Sequence, residues 1–487
     1  MEAEFKRNMV ALAALALSTM AVSLSWTGMK IPELAFGFKF LELLGGWSLS
    51  YYIIAEVAVM PLAGKLIDVY GMRGPLAAGV GLFLIGGSVV MFSEASTAFL
   101  AGRIVQGLGA GMIFSVSMTS VGMLLRGRAM RRMHGLMTGA FAVGSLFGFA
   151  FGCWTTFEID AESFVPICTF LAVAGGTVAY LHLPDSKPSS SHDALGTFLI
   201  TLFMVVFMLF TQLVNNEFEL VSEETFAFVL VSLAILAVLL MVERRASDPI
   251  FPRADERNEI GCVLCMFLAG FCGLGIIQYL LRFLMIGMDM GVYPASAMFL
   301  IFLAGAGATS MAASATIGRT GLRRWVLAGA AIVCCGLLLA SQTMTDGLVF
   351  VAASLLVMGL GLGCIVTPAL GSLHSSTSRR SLGTTTSVVL SFRFVGILAG
   401  AAVYAGIVSW KMADVLASIR EVLGTSSLNL LTTLMMVLRD LFVGDVYVFD
   451  DSIMLCCLAA GLLSLTILVA AYFLLKPDFG KDGTEEE

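Results

Sequence analysis

Fourteen mostly apolar stretches, each about 20 residues long, divide this chain, and they limit its fold more than any other feature. In hydrocarbon no water satisfies a backbone N–H or C=O. A lone spanning segment therefore closes its hydrogen bonds within itself, as an α-helix. The runs lie near 9–29, 47–66, 75–92, 98–121, 135–154 and 164–183. Two more lie near 196–214 and 225–242, and the rest near 259–281, 293–313, 325–341, 347–369, 384–408 and 450–475. Only 13% of the 487 residues are charged, about half the share in a soluble domain. The expected class is an all-α integral membrane protein with 14 transmembrane helices. The first run is too long for a cleaved signal peptide, and no A-x-A-like site precedes a soluble region.

The placement of basic residues orients the chain. An even number of spans puts both ends on one side. Of the 28 Lys and Arg, 20 fall on that side, 5 on the other and 3 within spans. By the positive-inside rule both termini are expected in the cytoplasm of a plasma-membrane protein. The opposite loops are acidic, as in FEIDAES and NNEFELVSEE. The ten cysteines lie mostly within spans and read as small apolar residues, CVLC at 262–265 included. The four histidines are scattered, so no metal or other cofactor is expected.

An internal repeat organises the runs. GLGAGMIF at 107–114 matches GLGLGCIV at 359–366, and VGSLFG at 143–148 matches VGILAG at 395–400, both at an offset of 252. VYGMR at 69–73 is echoed by RTGLR at 319–323 at an offset of 250. Equivalent spans are eight apart and equally oriented. The expected division is a six-helix bundle over 1–183, a linker with two inserted helices over 184–258, a second six-helix bundle over 259–475 and a tail over 476–487. Parallel six-helix repeats are a transporter plan, with the substrate site between the halves. The outer stretch 409–449 reads as amphipathic helices on the membrane surface, from VLASIREVL and LLTTLMMVLRDLF.

Between the second and third runs stands GKLIDVYGMR, with Gly64, Asp68, Gly71 and Arg73. Its glycines permit a tight helix turn. Its acid and base lie at helix ends, where they can pair with the other half and hold one conformer closed. This segment resembles the helix 2–3 signature of the major facilitator superfamily. LAGRIVQGLGAG resembles a second signature of that family, with Arg103, Gln106, Gly107 and Gly109. SVVLSFRFVGILAG, with Arg393, Gly396 and Gly400, is similar to a pattern of its 14-helix drug:proton antiporter branch. The ERRASDPIFP linker and the fourteen spans point the same way. The resemblance covers nearly the whole chain. It implies alternating access and a cytoplasmic gate at Gly64, Asp68, Gly71 and Arg73.

The departures from that branch matter. SLSWTGMKIP has Ser23 and Gly28 where the branch carries Asp and Asn in helix 1. Helix 5 has Gly144-Ser145 in place of Gly-Pro, and Gly318 stands where the second turn often has an acid. Glu56 gains weight from these gaps. It lies nine residues beyond Trp47, so roughly 14 Å into the bilayer at 1.5 Å per residue. Intramembrane charges are expensive and point to function. The expected coupling site is Glu56 paired with Arg393, or shared with Arg103. Trp26, Tyr52, Gln106, Gln278 and Tyr279 are candidates for the substrate cavity, and Arg282 for its entrance or for snorkelling to the surface.

No P-loop, Ser-His-Asp set or HExxH occurs, so neither ATP hydrolysis nor an enzyme is expected. The reading is a monomeric secondary transporter that exports drug-like or amphipathic organic compounds in exchange for protons. Uptake or facilitated movement of an organic anion or metabolite is the alternative. Lipid, the substrate and protons are the expected partners, and nucleic acid is not.

Overall fold

The computed structural model describes residues 2–28, 39–93, 96–158, 164–184, 194–213, 222–243, 257–282, 284, 290, 292–342, 348–423 and 447–475. Among them the chain is all-α, with fourteen helices in chain order. They are α1 (Glu2–Gly28), α2 (Lys39–Tyr70), α3 (Arg73–Phe92), α4 (Ser96–Leu124), α5 (Gly127–Glu158), α6 (Phe164–His182) and α7 (Ala194–Leu213). Then come α8 (Glu223–Glu243) and α9, which runs Arg257–Ala269, passes through a π-helical turn at Gly270–Leu274 and ends as Gly275–Arg282. The last are α10 (Val292–Thr320), α11 (Leu322–Gln342), α12 (Leu348–Ser376), α13 (Leu382–Leu423) and α14 (Tyr447–Leu474).

Among the described residues eleven helices are long and apolar enough to cross a membrane. The others are α2, α5 and α7. The described part of α2 carries Glu56, Lys65 and Asp68, and α5 opens with Arg128, Arg131 and Arg132. The apolar stretch of α7 is shorter, Leu195–Thr211. Helices that face protein rather than lipid can hold such polar groups.

The packing follows the repeat. Helix α1 packs on α5 and α6, α2 on α4, and α3 on α4 and α6. Raising each number by eight gives contacts that are also present: α9 on α13 and α14, α10 on α12, and α11 on α12 and α14. Two seams join the sets, α2 against α13 and α5 against α10, and the repeat exchanges one for the other. Helix α7 lies on α2 and α13, beside the first seam, and α8 packs on α7.

Glycines make this packing close. Cβ atoms on Gly107 and Gly111 of α4 would collide with the carbonyl oxygens of Tyr52 and Glu56 on α2, and one on Gly109 with Phe83 of α3. On α12, Gly359 and Gly363 meet α10 at Phe302 and Ala306, and Gly361 meets Gly329 of α11. The three positions thus do the same work in both copies. The turns repeat too. Gly71 at φ 85° and Gly321 at φ 81° use the left-handed region open to glycine. Each ends its helix with a bond to Ile67 O or Ile317 O, at 2.9 and 3.0 Å.

One expectation about the outer stretch changes. Residues 409–423 continue α13 as a single 42-residue helix, rather than forming a separate surface helix. At 1.5 Å per residue it is about 63 Å long, roughly twice the hydrocarbon thickness. The segment LLTTLMMVLRDLF lies outside the described residues, as do the linker stretches 185–193 and 244–256 and the whole tail 476–487.

Candidate functional site

Among the described residues, the side chains singled out in the sequence fall into three polar groups inside the helix assembly. The first closes the α2–α13 seam at the face where α1 begins and α14 ends. Asp68, in the last turn of α2, puts its carboxylate on the first turn of α13. Its Oδ1 accepts the Gly383 N–H at 2.8 Å, and its Oδ2 accepts the Thr384 N–H at 2.8 Å and the Thr384 hydroxyl at 2.6 Å. A helix N-terminus has free N–H groups and a partial positive charge, so an anion is held there. Gly64, one turn earlier, lets the helices touch: a Cβ there would lie 2.5 Å from Gly383 O. Arg73 turns the other way. Its Nε donates to Leu183 O at 2.8 Å, and its guanidinium lies 5.8 Å from the Tyr180 ring centre, so both contacts stay within the first repeat.

The second group joins α2 and α4. Arg103 is fully buried. Its guanidinium donates to Gln106 Oε1 at 2.7 Å and stacks 4.3 Å over the Tyr52 ring. It also reaches Ser25 Oγ at 3.5 Å, at the outer limit of a hydrogen bond. Tyr52 donates to Val22 O at 3.4 Å. Glu56 is buried one helical turn from Tyr52, and the charge acting on it is that of Arg103. No ion pair links Glu56 to Arg393 among the described residues. The physical reason is facing: glycines on α4 draw this side of α2 against Arg103's helix.

The third group lies between the repeats. Arg393, on α13, is buried, and its guanidinium lies 5.5 Å from the Phe141 ring centre and 5.8 Å from that of Phe394. It borders a cavity of about 50 Å³ whose wall includes Thr138, Phe141 and Ser145 of α5 and Phe299, Phe302 and Ser310 of α10. Leu274, in the π-helical turn of α9, completes one side. No acidic side chain lines this cavity among the described residues. It has room for a few waters and none for a drug-sized molecule.

Tyr52 and Gln106, expected on a cavity wall, are packed around Arg103 and do not line this one. The side chains of Trp26, Gln278, Tyr279 and Arg282 lie outside the described residues. Several cavity residues escaped sequence reasoning. Thr138, Ser145 and Ser310 carry single hydroxyls within apolar helices, a signal too common to single out. Ser145 does occupy the position of the absent proline. His134 and His374 also meet across the repeats, at 2.9 Å. Separated by 240 positions, they leave no local pattern.

The family model for the Major Facilitator Superfamily matches residues 11–401. An uncharacterised MFS-type transporter of Mycobacterium tuberculosis H37Rv is 25% identical over 365 residues, which is 74% of this chain and 53% of that protein. The multidrug transporter protein MdtP of Bacillus subtilis is 21% identical over 359 residues, covering 72% of this chain and 66% of its own. The chain thus spans about half the length of the mycobacterial relative. The crystal structure of the human organic anion transporter MFSD10 (TETRAN) superposes with a TM-score of 0.61 at 16% identity, covering 94% of this chain and 99% of that one.

Proposed function

Because the chain belongs to the major facilitator superfamily, we propose that it is a secondary transporter that exports amphipathic organic compounds in exchange for protons. The observation that carries this reading is a separation of tasks. The cavity at Arg393 lies between the repeats, where a substrate would bind. The carboxyl group of Glu56 lies elsewhere, buried in the first repeat where the charge of Arg103 acts on it. Two sites on two helix pairs can be loaded at different stages of one cycle. Relatives such as the multidrug transporter protein MdtP support the substrate class. The excess of basic residues on the Asp68 face supports placing that face in the cytoplasm of a plasma-membrane protein. On this assignment the Asp68 contacts hold the cytoplasmic side shut. The test is efflux from proteoliposomes with an imposed pH gradient. Flux that responds to the gradient in wild type and ignores it in Glu56→Gln supports the reading. Flux indifferent to the gradient in wild type overturns it.

A second reading rests on Arg393. A buried cation is costly unless an anion accompanies it, and the cavity wall supplies none. An organic anion would supply the missing charge, and facilitated movement or uptake of such a compound needs no proton. The fold shared with an organic anion transporter is compatible with this. Counterflow with an aromatic acid, its amide and the matching amine separates the two readings.

A further inference from the structure

His134 of α5 and His374 of α12 are both buried, and they face each other across the repeats. His134 Nε2 and His374 Nδ1 are 2.9 Å apart. At that spacing one nitrogen donates and the other accepts, so one hydrogen lies between them. The second nitrogen of His374 is 2.8 Å from Thr386 Oγ1 on α13. The chain of contacts therefore ties one helix of the first repeat to two of the second. His134 Nδ1 is buried without a hydrogen-bond partner. His134 also borders a cavity of about 10 Å³ with Arg131, Ser314 and Thr367, about the space of one water.

The repeat sharpens the picture. His134 and Thr386 are equivalent positions, and so are Gly122 and His374, each pair at the offset of 252. Symmetry would place a second contact between Gly122 and Thr386. Gly122 instead packs directly on the ring of His374, where a Cβ would collide with Nδ1. The glycine makes room for one imidazole to serve both partners.

We propose that His134 and His374 form a proton-operated latch on the Asp68 face: one shared hydrogen holds α5 against α12, and further protons on the pair release it. The closed pair has no place for more. A second hydrogen between the facing nitrogens sets N–H against N–H, and a proton on the outer nitrogen buries a cation beside Arg131. Once the face opens, water surrounds both rings, and each protonates as an ordinary imidazole near pH ~6.5. The open form thus binds more protons, and acid favours it. The charged groups on the surrounding elements are Arg131 of α5, Asp68 of α2 on the first turn of α13, and Glu259 of α9, which accepts from the Thr377 hydroxyl just past the end of α12. Ser314 of α10 and Gly122 of α4 add none. Protons taken up here would come from the Asp68 side, apart from those at Glu56.

The latch rests on alternating access alone, so its test reads distance rather than flux. Azide-bearing residues replace the exposed Arg128 and Arg379, and carry donor and acceptor dyes on the full chain in lipid nanodiscs. Between pH 8 and 5.5 the open-to-closed ratio should rise about tenfold if one imidazole titrates and about a hundredfold if both do. In His134→Gln/His374→Gln, which retains polar groups but cannot titrate, the rise should fall below about threefold. An unchanged rise in that variant moves the response to a carboxylate such as Asp68 or Glu259 and overturns the latch, as does a flat response in wild type. If the double variant fails to fold, His134→Gln alone decides, because it leaves His374 on Thr386. Its rise should drop to about tenfold or less, and a rise equal to that of wild type overturns the proposal.

Discussion

Arg393 stacks 5.5 Å from the ring centre of Phe141, and the two residues hold the same position in the two repeats, 252 apart. The local pseudo-symmetry therefore sets a cation against an aromatic ring between the two repeats. Cation and ring attract by about 0.5–2 kcal/mol, more when water is excluded. That is small beside the cost of burying an unpaired charge. The arrangement holds the guanidinium in place and leaves its charge to be met by something that enters the cavity.

Substituting Arg393→Met should therefore separate substrates by charge. Met keeps much of the length and loses the cation. Counterflow of an aromatic carboxylate should fall at least about tenfold, the loss of one charge-assisted hydrogen bond. Its uncharged amide should be affected less than about threefold, because it makes no such bond to lose. Equal losses for acid and amide would mean that Arg393 serves packing alone.

The Asp68 clamp gives a second outcome. Asp68→Asn keeps the shape but removes the charge from the first turn of α13, and an amide cannot accept all three bonds with both its groups. The loss is about 2 kcal/mol, for hydrogen bonds that involve a charged group. That is about a 30-fold shift of the conformational equilibrium toward an open Asp68 face. Labelling of a cysteine placed at Ser387 by a water-soluble maleimide should accelerate accordingly. A rate equal to that of the parent cysteine variant would show that Asp68 does not hold the seam.

Much of the fold was legible in the sequence, for identifiable reasons. Close helix contacts demand glycine, and a left-handed turn residue favours it. The GLGAG and GLGLG segments and the turns at Gly71 and Gly321 therefore wrote the repeat into the chain twice. What a buried helix faces is less legible. Helix α2 is enclosed by α4, α13 and α7, so no polar stripe indicates its rotation. Glu56 could be placed by depth, while the choice between Arg103 and Arg393 depended on which side meets α4. The histidine pair and the cavity hydroxyls depend wholly on tertiary folding.

The glycine repeat makes its own prediction. Gly107→Leu and Gly359→Leu are equivalent changes, each driving a side chain into the backbone of the neighbouring helix, at Tyr52 O or Phe302 O. Overpacking costs about 1–3 kcal/mol even where a core can yield, and backbone yields least. Both variants should lose thermal stability in detergent by similar amounts, while Gly74→Leu, where a Cβ meets nothing within 4 Å, should stay close to wild type. A stable Gly359→Leu beside an unstable Gly107→Leu would show that the two copies no longer share one packing rule.

Glu56 supplies the last prediction. Glu56→Gln preserves the shape beside Tyr52 and removes the carboxyl on which Arg103's charge acts. If the proton travels on Glu56, this variant cannot load or release it. It should still exchange labelled for unlabelled substrate at a rate within about threefold of wild type, since that half-cycle needs no net proton movement and the substitution removes no charged hydrogen bond. Uphill efflux driven by a pH gradient should vanish. Arg103→Gln should differ, because it leaves a buried carboxylate without its cation. Uphill efflux should then fall at least about tenfold without vanishing, the loss of one charge-assisted interaction. Uphill transport that survives in Glu56→Gln would move the coupling site away from this cluster.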